Sequence, residues 1–206
     1  ITYNTGGGSS VSSTTGYQIW NQYGNTYNHP TLTISSTTPT RSGYTFEGWS
    51  TSSSATTVNY DPGDSYTFSR TYTQSASVTL YAVWERISYT ITYNSNGGSG
   101  TMSPTTKYYG ESVTLRANTF TRTGYRFSGW ATSSTGSVVY DDQDTYTANA
   151  SDTLYAVWTR ITYTITYNSN GGSGTMSSTT KYYGTRVTLR ANTFTRTGYL
   201  FVGWAL

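Results

Sequence analysis

The stretch ITYNSNGGSGTM fills residues 91–102 and recurs letter for letter at residues 165–176. Ile91 and Tyr93 share one parity, Thr92 and Asn94 the other, and Ile87 and Tyr89 extend the alternation backwards. That period of two predicts a half-buried strand. Asn96-Gly97 follows it and predicts a tight turn with positive φ.

Other landmarks fix the register of the repeat. A GY-x-F-x-GW block stands at residues 43–49, 124–130 and 198–204, and LYAVW stands at 80–84 and 154–158. Ile91 to Ile165, Gly124 to Gly198 and Leu80 to Leu154 are each 74 residues apart. The first copy is longer, since Ile1 lies 90 residues before Ile91 and Gly43 lies 81 before Gly124. We therefore divide the chain into a divergent first repeat (1–86), a second repeat (87–160) and a third, truncated half-unit (161–206). A period of 74 is close to the smallest size that holds its own core, which predicts beads on a string.

Composition points the same way. Of the 206 residues 17% are aromatic and only 10% charged, with 22 Tyr and 6 Trp, so small aromatic cores are expected. Thr, Ser, Tyr and Val suit a pleated surface and serve a long helix poorly. The fold class is mainly β, α+β at most. The formal charge is +3, but the 12 Lys and Arg are scattered singly, which argues against a nucleic-acid partner. Without cysteine there is neither a disulfide nor a thiolate metal site. No stretch approaches the ~18 apolar residues of a membrane span, so direct membrane insertion is not expected. The chain opens at Ile1 inside a strand-like motif and reads as a segment of something longer.

Within the second repeat, further strands are predicted at residues 108–115, pairing back on the first strand, at 125–131, at 138–140 and at 154–158. Val113 and Leu115 are expected to face the core. Over residues 125–131 the alternation puts Phe127 on one face and Trp130 on the other, which suggests that one face serves a partner. The loop after the acidic turn leaves room for one helical turn. Only Thr159 and Arg160 separate Trp158 from Ile161, a linker too short for much bending.

These motifs, ITYNSNGG, TRTGY-x-F-x-GW, the YDD turn and TLYAVW, resemble the Listeria–Bacteroides repeat, the B-repeat type of internalin-like bacterial surface proteins. The resemblance covers nearly the whole chain. It implies small β-grasp, ubiquitin-like units in an elongated array on secreted or wall-anchored proteins. It brings no catalytic residues to carry over. The first copy departs from the pattern at residues 16–30, where the others carry a Lys-Tyr-Tyr-Gly stretch.

Candidate sites are few. His29 is the only histidine, and no cofactor is implied. Tyr17, Trp20, Tyr23 and Tyr27 with His29 form the densest aromatic patch outside the repeated motifs. Flat rings beside Asn suit stacking on a sugar face, while the alternative is that they fill the core of a longer unit. Asp141, Asp142 and Asp144 are weak candidates for a hard cation, lacking the distal Glu of a calcium loop. Turn-forming side chains that bond their own backbone are the simpler reading. Trp49, Trp130, Trp204, Trp84 and Trp158 recur with the repeat and are expected to pack. Arg41, Arg122 and Arg196 recur just before each GY, where a surface cation or an interdomain hydrogen bond is the ordinary reading.

The expected function is a non-catalytic stalk or adhesin spacer, extracellular, on the cell surface or secreted. Its partners would be a surface protein or glycan of a host or neighbouring cell, or copies of itself. The alternative is a subunit of a self-assembling filament, completed by strand exchange at the C-terminal half-unit.

Overall fold

A computed structural model describes residues 1–16, 31–68 and 75–206. The chain forms two compact units, one of Ile1–Tyr89 with Lys107–Glu111, the other of Thr90–Thr106 with Ser112–Leu206. Among the described residues there are strands and no helix, so the mainly β class stands and the single helical turn does not form.

In the first unit β1 (Thr2–Asn4), β2 (Thr31–Thr33), β3 (Tyr44–Ser50), β4 (Ser65–Thr67) and β5 (Thr79–Arg86) follow in order. β5 is central: it runs parallel to β1, with Tyr3 opposite Leu80, and antiparallel to β3, with Trp49 opposite Ala82. The short pair β2–β4 sets Leu32 opposite Tyr66. Ile1, Ile34, Trp49, Phe68 and Leu80 close the core between them.

The second repeat builds the same plan from β6 (Ser88–Asn94), β7 (Thr105–Tyr108), β8 (Val113–Thr114), β9 (Tyr125–Ala131), β10 (Thr145–Tyr146) and β11 (Asp152–Arg160). Its sheet has the order β7-β6-β11-β9, with β11 parallel to β6 and antiparallel to β9. The core holds Ile91, Leu115, Phe120, Trp130, Tyr146, Leu154 and Ala156, with Val113 packed against it. Ile34 and Leu115 are equivalent, both lying nine residues before their GY glycine, and their N–H groups donate to Asp64 and Asp144 carbonyls at 2.7 and 2.8 Å. The divergent first repeat thus keeps the same core positions.

Asn96-Gly97 forms the expected turn, with φ of 47° and 84°. The reason is local: Asn94 Oδ1 accepts the Asn96 N–H at 2.8 Å, and Asn4 and Asn168 do the same for Gly6 and Asn170. A short polar side chain bonding two residues ahead stabilises the left-handed residue that a tight turn needs.

Two expectations are corrected. Residues 108–115 are not one strand paired back on the first. The chain turns at Gly110, whose φ is 73°, and Val113–Thr114 leaves to pair with β10, a strand the sequence pattern did not reveal. Residues 138–140 form no strand of their own; Tyr140 makes an isolated bridge to Trp130.

Nor do Phe127 and Trp130 face opposite ways. A bulge lies where Val157 faces Gly129 and Trp158 faces Phe127, so Ser128 is skipped and the alternation loses a step. An extra residue of this kind re-aims the side chains that follow it. Phe127 and Trp130 then meet edge to face at 4.8 Å in one core, and the same step recurs between Phe46 and Gly48. Gly129 makes the bulge possible. Its φ is 139°, and a Cβ there would lie 2.5 Å from Val138 and 2.8 Å from the Tyr140 carbonyl oxygen.

In the third repeat β12 (Thr162–Ile165) pairs antiparallel with β13 (Thr179–Tyr182). Among the described residues 199–205 take part in no strand pairing. Leu189 is 43% exposed, where its equivalent Leu115 is 1% exposed.

Candidate functional site

The most regular construction outside the cores is the joint at which one repeat leads to the next. In the first unit the Ile87 N–H donates to the Gly43 carbonyl and the Tyr109 N–H to the Ile87 carbonyl, both at 3.0 Å. In the second unit Ile161, Gly124 and Tyr183 repeat these bonds at 2.9 and 3.0 Å. The tyrosine ring also covers the glycine: a Cβ on Gly43 would lie 2.9 Å from Tyr109 Cδ1, and one on Gly124 3.0 Å from Tyr183 Cδ1. Both glycines have φ of 79°. One residue thus meets two demands, a left-handed backbone and a close approach, that only glycine satisfies together.

Cations decorate the joint. The Arg86 and Arg160 guanidinium groups lie over the rings of Tyr108 and Tyr182, at 4.1 and 4.4 Å from their centroids. Arg86 also pairs with Glu111, whose hydrogen bond is the main reason its pKa rises further above the ordinary arginine value. The third repeat has Thr185 at the position of Glu111. Arg41, Arg122 and Arg196 are not bare surface cations: each lies 3.8–4.2 Å over the ring of the tyrosine in its own GY block. Lys107 is 2% exposed, with Nζ donating to the Tyr108 carbonyl at 3.3 Å.

A shallow cleft lies on the outer sheet face of the second repeat, lined by Thr90, Thr92, Thr132, Thr153 and Tyr155. The Thr92 and Thr153 hydroxyls already bond each other at 2.9 Å, as those of Thr2 and Thr79 do at 3.0 Å. This is a polar, open surface whose hydroxyls largely serve the sheet itself.

The proposed aromatic patch of Tyr17, Trp20, Tyr23, Tyr27 and His29 lies outside the described residues. The acidic triplet is placed in a turn. Asp142 accepts the Asn118 N–H at 2.8 Å, Asp144 accepts the Thr145 N–H at 2.7 Å, and the Asp144 N–H donates to the Asp141 carbonyl at 3.2 Å. Two of its three carboxylates therefore serve the backbone. The recurrent tryptophans pack as expected. Trp49 and Trp130 are fully buried, while Trp84 and Trp158 donate their Nε1–H to the Thr5 and Ser95 carbonyls at 2.9 and 2.8 Å.

Sequence reasoning used the GY glycines only as landmarks and missed their tyrosine partners. The signal was present, because KYYG recurs at residues 107–110 and 181–184 with the same period. What was hidden is that its second tyrosine reaches a glycine of the preceding copy.

The chain matches the Listeria-Bacteroides repeat domain three times, over residues 1–83, 89–157 and 163–206. It belongs to the Listeria-Bacteroides repeat family. Among relatives that share these repeats, a protein of Evansella cellulosilytica named as a Gly-rich membrane protein is 32% identical over 80% of this chain and 18% of its own length. A second protein of that organism, named as a membrane protein, is 29% identical over 99% of this chain and 27% of its own. Internalin H of Listeria monocytogenes is 31% identical over 60% of this chain and 21% of its own. The Listeria-Bacteroides repeats described here thus span about a quarter or less of the relatives they match. No solved structure matches the chain. Among the described residues no helix is long and apolar enough to cross a membrane.

Proposed function

We propose that these repeats are a non-catalytic spacer of an extracellular bacterial surface protein, an elongated stalk that presents protein or glycan contacts. The observation that carries the reading is the joint made twice with the same three partners, Gly43, Ile87 and Tyr109, then Gly124, Ile161 and Tyr183. Two backbone hydrogen bonds and a ring seated on a glycine restrict bending between successive copies, which is what a spacer requires. Parallel pairing of β1 with β5 and of β6 with β11 supports the small β-grasp unit that the family resemblance implies. The names of the relatives, membrane proteins and an internalin, support a place at the cell surface.

A second reading is a filament subunit, in which a strand edge of one chain pairs with another chain. Against it stands the engagement of both closing strands, β5 and β11, inside their own repeats. Small-angle scattering over a concentration series separates the two. A rod of constant length supports the spacer, a compact particle removes it, and growth with concentration supports the filament.

A further inference from the structure

The strands by which the chain enters and leaves the second repeat are neighbours. β6 and β11 run side by side and parallel, with Ile91 opposite Asp152, Thr92 opposite Thr153, Tyr93 opposite Leu154 and Asn94 opposite Tyr155. Parallel strands keep their starts together, so the start of β6 and the end of β11 lie toward opposite ends of the sheet. Those are the points at which the neighbouring repeats pull, because only Ile87 separates β5 from β6 and only Ile161 separates β11 from β12. Tension along the chain therefore draws β6 and β11 past each other along their own axes. Inter-strand hydrogen bonds bridge sideways, so a load along the strands is shared by the whole row, whereas a load across them opens the bonds one after another.

Further contacts oppose the slide. β9 also holds β11, from Tyr155 to Arg160. Just beyond the end of β6, the Ser95 carbonyl accepts the Trp158 Nε1–H at 2.8 Å and Asn96 Nδ2 donates to the Ala156 carbonyl at 3.0 Å. The Trp158 ring is seated against the same turn, where a Cβ on Gly98 would lie 2.8 Å from its Cζ2. A slip of one residue would also turn Leu154 and Ala156, both fully buried, away from the core. The first unit repeats the arrangement, with β1 parallel to β5 and the Trp84 Nε1–H donating to the Thr5 carbonyl at 2.9 Å.

We infer that the second repeat is a shear clamp, a unit that stays folded under tension applied along the chain. The β6–β11 pair is its grip, and Trp158 and Asn96 are the side chains that pin its register. Its further function is to bear load, transmitting a pull without lengthening. The inference rests on the spacer reading for the source of the load and on the strand order for the clamp.

The test pulls single molecules of the whole 206-residue chain in two directions. The chain has no cysteine, so handles attach only where one is introduced. Thr90→Cys with Thr159→Cys loads the pair in shear. Thr90→Cys with Ala150→Cys, two residues before β11, peels β11 from β6. All three positions are exposed. Forced unfolding reports the unfolding barrier, and the shear pair is expected to give way at about twofold higher force or more at the same pulling rate. Equal forces, or a lower force in shear, would overturn the clamp. Asn96→Gly, which installs the residue found at Gly6 in the first repeat, should lower the shear force and leave the peeling force nearly unchanged. Equal loss in both directions would remove Asn96 from the grip. Equal forces in a chain that scatters as a rod would leave the spacer standing without the clamp. A strong shear response in a compact particle would leave the clamp without the spacer.

Discussion

Tyr183 lies on Gly124 so closely that a Cβ added to the glycine would stand 3.0 Å from the ring, and Tyr109 stands in the same relation to Gly43 at 2.9 Å. The tyrosine belongs to one copy and the glycine to the copy before it. Substituting Gly124→Ala adds both left-handed strain and this contact. The left-handed conformation alone costs about 1–2 kcal/mol for a residue with a Cβ, and we expect at least that loss in urea unfolding. In a double-mutant cycle Tyr183→Ala should relieve the contact share only. Strict additivity would show that ring and glycine do not interact.

Glycines that share a positive φ should differ widely in tolerance according to what lies beside them. Gly110 has φ of 73° and a Cβ there would meet nothing within 4 Å, so Gly110→Ala should cost about 1 kcal/mol from strain. Gly129→Ala forces a Cβ against Val138 and a backbone carbonyl, and overpacking plus strain predict about 2–5 kcal/mol. Equal melting shifts for the two would sink the bulge argument.

Trp130 is fully buried at the centre of its aromatic cluster, and its Nε1–H has no hydrogen-bond acceptor among the described residues. Trp130→Phe therefore forfeits volume without breaking a hydrogen bond. Trp130→Ala should cost about 3–5 kcal/mol, with the phenylalanine variant well below it in chemical denaturation. Trp158→Phe breaks the bond to the Ser95 carbonyl and should cost about 1 kcal/mol in addition to lost packing.

Burial raises the pKa of Tyr146 above its ordinary value of 10.0, aided by the nearby charge of Asp152. The folded state thus holds the proton more tightly than the unfolded chain. The sign follows: stability is fully present below the unfolded pKa and is lost as pH rises through the folded one. Alkaline denaturation should begin above pH 10. Tyr146→Phe should flatten that part of the stability profile while losing the bond to the Ala150 carbonyl at neutral pH. An unchanged alkaline limb in the phenylalanine variant would show that other tyrosines govern it.

Arg86 and Glu111 are about half exposed, at 45% and 52%. An ion pair in that setting contributes little, and less at high salt. Glu111→Thr reproduces the residue the third repeat already carries, and we expect a urea midpoint close to that of the parent chain. A larger loss measured at low salt and abolished by salt would give this pair a role in the joint beyond that of the tyrosine.

The repeat, its period and its β character were legible in the letters alone. Alternation in 88–94, the Asn-Gly turn and the buried Leu115 are consequences of side-chain chemistry at neighbouring positions, which a sequence displays directly. Family membership followed from the same local motifs. Tertiary structure alone decided three matters. The bulge at Gly129 turned Phe127 and Trp130 to one side, because two-residue alternation fails wherever one strand carries an extra residue. Val113–Thr114 left the hairpin for Thr145–Tyr146, because pairing is chosen between segments about 30 residues apart and both are too short to signal a strand. The glycine of each GY block became the seat for a tyrosine of the next copy. A sequence states that a residue is glycine. Whether that glycine is needed for its φ or for what lies against it depends on neighbours that only folding brings within reach.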